Sequence, residues 1–97
     1  MAKRFPYEYD HSIGATLDYS LDWNQGSWLV AEEVIIDSSW VSLTPGATIT
    51  NQQIISGVTS AFIHLNTPNV VFDISNTITT NQGRVDSRTI NLSCKRR

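Results

Sequence analysis

Apolar and polar residues alternate strictly from Ala15 to Trp23, where every second side chain is apolar. The apolar series is Ala15, Leu17, Tyr19, Leu21 and Trp23, and the polar series is Thr16, Asp18, Ser20 and Asp22. Successive side chains of a β-strand point to opposite faces, whereas a helix would scatter the same residues around its axis. The pattern therefore predicts a strand with one buried face.

The alternation returns along the chain and nowhere gives way to a helical period. Further strands are predicted at Glu33 to Leu43, Thr48 to Asn51, Gln53 to Ile55, Thr59 to Asn66, Val70 to Thr80 and Arg84 to Cys94. Turn signals separate them, and the tip Asn81-Gln82-Gly83 suits a type I turn closed by a glycine bulge. Six or seven strands at intervals of roughly ten residues are typical of a β-sandwich or a small barrel, and we favour the sandwich.

The phase of each strand predicts its buried side. In the strand from Glu33, we expect Val34, Ile36 and Trp40 on one side and Ile35 on the other. Trp23 and Trp40 are expected to anchor the core because tryptophan buries a large area. The predicted core comprises Leu17, Tyr19, Leu21, Trp23, Ile36, Trp40, Phe72, Ile74, Ile78, Ile90 and Leu92.

The N-terminal residues have no clean period. We expect an extended arm over residues 1–14 and one domain over residues 15–97. Aromatic side chains on an arm either anchor a partner or pack back on their own domain. The candidate partner-binding residues are Phe5, Tyr7, Tyr9 and, in a short apolar patch, Trp28.

Composition supports a single all-β domain. Val, Ile and Thr, which favour strands, supply 27 of the 97 residues. Cys94 is the sole cysteine, so no internal disulfide can form. No apolar run approaches the length of a membrane span or a signal peptide, so we expect synthesis in the cytoplasm and no membrane partner.

Charge is distributed unevenly, and this bears on the partners. Five of the seven basic residues lie at the two ends, whereas only Arg84 and Arg88 oppose nine acidic side chains in between. An acidic body is repelled by nucleic acid, so we expect no nucleic-acid partner. We interpret the basic ends as solvated tails.

Residues that could carry chemistry are scattered. His11 and His64 have no zinc-site spacing, and one cysteine cannot complete a structural site. Glu32 and Glu33 are adjacent, so a strand would point them to opposite faces, which makes a poor acid–base pair. We therefore expect no enzyme, no catalytic residue, no metal and no cofactor.

Two polar features interrupt the predicted strands. Asn76 falls within the apolar face of the strand from Val70, and a buried amide there must be paired. We favour a structural clamp over a binding role. Arg84, Asp86 and Arg88 share one side of the last strand, where they form either a cross-strand charge ladder or an exposed charged edge.

The order of several short segments resembles a known family. The segments are Leu17-Asp18-Tyr19, Asp22-Trp23, Trp28-Leu29, Ile36-Asp37-Ser38-Ser39-Trp40, Thr44-Pro45-Gly46, Asn76-Thr77-Ile78-Thr79-Thr80 and Gly83-Arg84-Val85-Asp86-Ser87-Arg88. In this order they resemble small tailed-phage virion proteins described as fiber–tail adaptors. The resemblance spans roughly residues 15–94, although residues 47–69 match poorly and residues 1–14 are not clearly covered.

The resemblance implies an immunoglobulin-like β-sandwich and a non-enzymatic structural role in the virion. The implied partners are other virion proteins of the tail, fiber, portal or capsid, with many copies arranged in a symmetric ring. The alternatives are a capsid decoration or neck protein, and a carbohydrate-binding module in which Trp28 and Tyr19 stack on sugar rings.

Overall fold

The computed structural model describes residues 8–24 and 29–96, and all regular structure within these ranges is β-strand. The seven strands there are β1 (Glu8–Ser12), β2 (Thr16–Asp22), β3 (Ile35–Ser42), β4 (Ala47–Ile55), β5 (Val58–Leu65), β6 (Val71–Thr80) and β7 (Val85–Lys95). The predicted all-β fold is confirmed.

The strands form two sheets that face each other. The four-stranded sheet has the order β1-β7-β6-β3, and the three-stranded sheet has the order β2-β5-β4. Strand β1 runs parallel to β7, and all other pairs are antiparallel. Each sheet turns its apolar side inward. The result is an immunoglobulin-like sandwich.

The core lies between the sheets and is built from alternate residues of both. Trp23 is fully buried and Trp40 is 3% exposed. The other buried apolar residues are Leu21, Ile35, Ala61, Ile63, Leu65, Phe72, Ile74, Ile78, Ile90, Leu92 and Cys94. Strands β6 and β7 keep a strict in–out alternation over this region, as a half-buried strand requires.

Ile36 lies outside the core, so its predicted burial is wrong. Ile35 pairs with Thr80 and Asp37 pairs with Thr79, which leaves Ile36 as an extra residue on β3. A β-bulge of this kind changes the phase of the strand. Ile35 therefore faces the core together with Trp40, while Ile36 is 61% exposed.

Leu17 is also less buried than predicted, with 39% of its surface exposed. It lies opposite Ile63 on the inner side of β2. However, β2 is an edge strand, and no strand in residues 8–24 or 29–96 lies beyond it. Tyr19, two residues along the same side, is half-buried and packs against the core.

Residues 8–12, which the sequence placed in an irregular arm, form strand β1 of the four-stranded sheet. Their ladder with β7 runs from Glu8 beside Asn91 to Ser12 beside Lys95. The inward side of β1 includes His11, the fourth of its five residues, which is fully buried. Because histidine counts as polar, the apolar pattern did not reveal this strand.

Residues 47–55 form one strand, β4, where the sequence predicted two short ones. The pairing with β5 shifts between Thr50 and Gln53, and Asn51 there has a φ of +52°. The next turn, Ser56-Gly57, has φ values of +49° and +80°, as a type I′ hairpin requires. A Cβ on Gly57 would lie 2.6 Å from the Asn24 side chain, so glycine is needed here.

Candidate interaction surface

The candidate partner-binding residues fall into two groups. Tyr9 lies on β1 and is 41% exposed. Phe5, Tyr7 and Trp28 lie outside the described residues. Tyr9 therefore provides the starting point for locating an interaction surface.

Tyr9 belongs to an aromatic seam where β1 of one sheet meets β2 of the other. Its ring centroid lies 5.4 Å from that of Tyr19, and the His11 ring lies 5.9 Å from Tyr19 on a nearly parallel plane. The backbone N–H of Ala15 donates to the carbonyl of Ser12, which closes the turn between the strands. The seam therefore combines a rigid inner part with a partly exposed outer ring.

His11 fixes the inner part of the seam through both ring nitrogens. Its Nε2 lies 2.8 Å from the carbonyl oxygen of Ala15, which can only accept, so Nε2 carries the proton. In the neutral ring, Nδ1 accepts from the hydroxyl of Tyr19 at 2.7 Å. Burial, with Tyr9 and Asp18 nearby, raises the pKa of Tyr19 to about 12, so this hydroxyl stays protonated and can donate.

The outer face of the three-stranded sheet is acidic. Asp18 and Asp22 are exposed on β2, on the side opposite the buried Leu21. Asp18 lies opposite Phe62 of β5, which is partly exposed. No lysine or arginine occurs in the three strands of this sheet. The face therefore favours partners that carry positive charge.

Strand β3, one edge of the four-stranded sheet, is protected by side chains. The N–H of Ser38 donates to Oδ1 of Asp37 at 3.0 Å, and the N–H of Trp40 donates to Oε1 of Gln52 at 3.1 Å. Gln52 belongs to β4, so the same contact brings the edge of the other sheet close. A strand edge whose donors are already bonded is a poor template for an added strand.

Strand β2 has an edge of a different kind. It pairs with β5 over all seven of its residues and has no strand on its other side within the described ranges. Alternate backbone groups of an edge strand point away from its partner, so within the described ranges β2 presents donors and acceptors that no neighbouring strand pairs.

Asn76 is the fully buried centre of a polar network between the sheets. Its Oδ1 accepts from Nε1 of Trp23 at 3.1 Å and from the hydroxyl of Thr59 at 2.6 Å. Its Nδ2 donates to Oγ of Ser38 at 2.8 Å and to the carbonyl of Ser39 at 3.2 Å. Both ends of the amide are thus used inside the molecule, which leaves nothing for a ligand.

Glu33 is the second buried polar centre, and its side chain has no exposed surface. Nε of Arg84 donates to its Oε2 at 2.8 Å, and Nη2 of Arg84 donates to its Oε1. The hydroxyl of Thr80 and the N–H of Val30 complete the set at 2.6 and 3.1 Å. The bonds from Arg84, with those from Thr80 and Val30, hold the pKa of Glu33 at about 2. This carboxylate is a structural anion that stays ionised near neutral pH.

Two arginines near the start of β7, Arg84 just before the strand and Arg88 within it, contact residues outside the strand. Arg84 bonds Glu33, as above, and the guanidinium of Arg88 lies 4.1 Å from the ring centroid of Trp23. Arg88 also donates to the carbonyl of Asp22 at 3.4 Å. Because Asp86 and Arg88 lie opposite Ile78 and Asn76 on β6, they form no charge ladder with that strand. Arg84 instead pairs with Glu33, and Arg88 covers the Trp23 ring.

The described ranges hold no group of three histidine, cysteine, aspartate or glutamate residues that could bind a metal ion. Nor does any helix there have the length and apolar character needed to cross a membrane. Nδ1 of His64, which is half-buried, lies 3.0 Å from Oγ1 of Thr16. Glu32 is exposed, whereas Glu33 is buried. The structure brings no two of these titratable residues together as an acid–base pair.

The sequence matches the family described as podophage GP4 fiber-tail adaptor protein gp77 over residues 12–93. The chain belongs to this family. The match includes all of strands β2 to β6 and most of β7, and it confirms the resemblance carried by the sequence motifs. Membership of the fiber-tail adaptor family indicates a structural role in the phage particle. No curated protein sequence matches this chain.

A solved structure supports the fold independently of the family. The chain is similar to the solution structure of the PKD domain from KIAA 1837 protein, with a TM-score of 0.62 and 14% sequence identity. The similarity covers 93% of this chain and 81% of that one. At this identity the comparison bears on the fold alone, and it agrees with the immunoglobulin-like sandwich of the fiber-tail adaptor.

Proposed function

We propose that this adaptor is a non-enzymatic structural component of a tailed-phage virion and joins tail proteins to fiber proteins. The observation that carries the proposal is the family match over residues 12–93. The protein is made in the host cytoplasm and is built into the particle there.

The hydrogen bonds of the buried polar side chains support a binding role without catalysis. His11, Glu33 and Asn76 are the buried residues best suited to chemistry, and each is bonded on every side to other residues of the domain. A catalytic group needs a free position where substrate can approach. Among the described residues, the surfaces open to partners include the outer faces of the sheets and the edge of β2.

Many copies in a symmetric ring suit this role. Repetition around an axis multiplies contacts that are weak for one copy, so no single surface needs high affinity. The partners in this proposal are tail, fiber, portal or capsid proteins. The acidic three-stranded sheet argues against nucleic acid as a partner.

The carbohydrate-binding alternative receives little support from the structure. Of its two proposed stacking residues, Tyr19 packs against Tyr9 and His11 and donates its hydroxyl to His11. A sugar platform needs an open aromatic face, which this ring does not offer. The other residue, Trp28, lies outside the described ranges.

The proposal is tested on phage particles that lack the gene for this protein. We expect mass spectrometry to detect the protein in purified wild-type virions, and electron microscopy of the deletion particles to show filled heads and tails without fibers. A plasmid copy of the gene should restore the fibers. Absence of the protein from virions would contradict the proposal, and defective heads with normal fibers would favour the decoration alternative.

A further inference from the structure

The open edge of β2 lies beside apolar and acidic side chains that the described residues leave uncovered. Leu17, which faces inward, and Tyr9, across the seam, are 39% and 41% exposed. Asp18 and Asp22 lie along the outer side of the same strand. A complementary strand would carry apolar residues on one side and positive charge on the other.

Residues 1–7 of the chain have this composition. They include Lys3 and Arg4 and no acidic residue, and they contain two aromatic residues, Phe5 and Tyr7. In an extended segment Phe5 and Tyr7 share one side and Arg4 lies on the other. Pro6 lacks an N–H, so it is compatible with a strand at an edge and not with one in the middle of a sheet.

We propose that the edge of β2 accepts residues 1–7 of a second copy of this chain as an added antiparallel strand. The register that places Arg4 beside Asp18 also places Phe5 beside Leu17, so one alignment satisfies both the charge and the apolar surface. The inference goes beyond the adaptor role and does not depend on where the protein sits in the particle.

The path of β1 favours a second copy over the same copy. The turn at Ser12 to Ala15 places the end of β1 next to the start of β2, and Tyr9 lies beside Tyr19. Glu8, the first residue of β1, therefore lies beyond Tyr19 in the direction of Asp22. A segment of the same chain would have to reverse direction before Glu8 to pair with Leu17 and Asp18, whereas a segment from a neighbour could lie along the whole edge.

The geometry of the exchange fits a closed assembly. The donor surface is the N-terminal segment and the acceptor surface is the edge of β2, so the contact is heterologous. Heterologous contacts that close by rotation generate rings. An added strand also covers the edge of β2, which reduces unspecific pairing with other chains.

Cross-linking between two variants separates the possible occupants. Full-length Arg4→Cys and Asp18→Cys proteins are mixed and oxidised, and disulfide-linked peptides are identified by mass spectrometry. The matched control replaces Asp18→Cys with Ser87→Cys, because Ser87 is exposed on the other sheet. Cys94 is buried and remains in all variants.

We expect at least a fivefold excess of the linked heterodimer in the Arg4→Cys and Asp18→Cys mixture over the control mixture. A yield equal to the control would overturn the proposal. So would a double variant, Arg4→Cys with Asp18→Cys in one chain, that closes its disulfide internally and forms no dimer. That second result would identify the chain's own segment as the occupant.

Charge reversal provides an independent readout by sedimentation velocity. Arg4→Asp and Asp18→Arg should each weaken self-association, and a mixture of the two should restore it because each supplies the partner that the other lacks. Self-association that is unchanged in both single variants would contradict the proposed pairing. Neither experiment involves a virion, so this proposal and the adaptor role can fail separately.

Discussion

Trp23 donates its indole N–H at 3.1 Å to Oδ1 of Asn76, and this bond crosses the core from the residue that follows β2 to β6 of the other sheet. The same amide reaches Ser38 and Ser39 on β3, so a single buried side chain connects three segments. A buried polar network is favourable only when all its members are paired, and it then specifies one packing of the core. The network therefore sets how the two sheets are aligned.

Replacing the central amide should cost much of the stability of a domain of this size. Asn76→Ala leaves the indole N–H of Trp23 and the groups on β3 without this partner, and we expect a loss of about 2–3 kcal/mol. Urea unfolding measures the change. The control is Thr77→Ala, which removes only a half-exposed bond to Ser87 and should cost below about 1 kcal/mol. Equal losses would show that the network has no special role.

The two buried indoles should respond differently to removal of their N–H. Nε1 of Trp23 donates to both Thr59 and Asn76, whereas Nε1 of Trp40 is buried without a partner among the described residues. Trp23→Phe should therefore lose about 1–2 kcal/mol more than Trp40→Phe, in which an unpaired polar group disappears. Urea melts of both variants test this, and a larger loss for Trp40→Phe would refute it.

The two adjacent isoleucines at the bulge of β3 test which residues of this strand face the core. Ile35 is 8% exposed, so Ile35→Ala should cost about 2–5 kcal/mol through lost burial and a cavity. Ile36 lies at the surface, and Ile36→Ala should stay within about 0.5 kcal/mol of wild type. Thermal unfolding of the pair provides the measurement. The reverse ranking would mean that β3 has no bulge at this position.

Substitution of the buried His11 should cost more stability than substitution of the half-buried His64. His11→Ala leaves the Tyr19 hydroxyl and the Ala15 carbonyl unpaired, and we expect a loss of about 1–3 kcal/mol with faster amide exchange in β1. His64→Ala removes one half-exposed contact with Thr16 and should change stability by no more than about 0.5 kcal/mol. Hydrogen exchange that is unaltered in β1 after His11→Ala would show that His11 does not hold this strand.

The free energy of unfolding should fall in acid because the Glu33 carboxylate becomes protonated. Its bonds with Arg84 lower its pKa from the ordinary value of 4.5 to about 2 in the folded protein. The stabilising contribution is complete above pH 4.5 and is lost as the pH falls from there towards 2. Urea unfolding across this window should show a steep loss in wild type and in the surface variant Glu32→Gln. In Glu33→Gln the slope should be shallower, and an identical slope would disprove the assignment.

Alternation revealed the sheets because most strands have one apolar and one polar side. Burial alternates without exception over residues 58–65 and 71–80, and most of their buried positions are apolar, so the hydrophobic pattern indicates their inner faces. The turn at Asn81 to Gly83 was equally predictable from the sequence. Gly83 has a φ of +80°, and its N–H donates to the carbonyl of Thr80, as the predicted turn requires.

The pattern did not reveal features that depend on polar burial or on one extra residue. His11 and Glu33 are buried because specific partners satisfy them, and those partners lie far away in the sequence or across a turn. The bulge at Ile36 inserts one residue without changing composition. The alternation of Tyr9, His11 and Ile13 was the one local signal that could have identified β1.

The parallel pairing of β1 with β7 has a mechanical consequence. The chain enters β1 at Glu8 and leaves β7 at Lys95, so tension applied between the two ends pulls these strands in opposite directions. Their hydrogen bonds are then loaded in shear and share the force, whereas antiparallel terminal strands would open one bond at a time. A domain pulled at its two ends would thus resist extension along the whole ladder between β1 and β7.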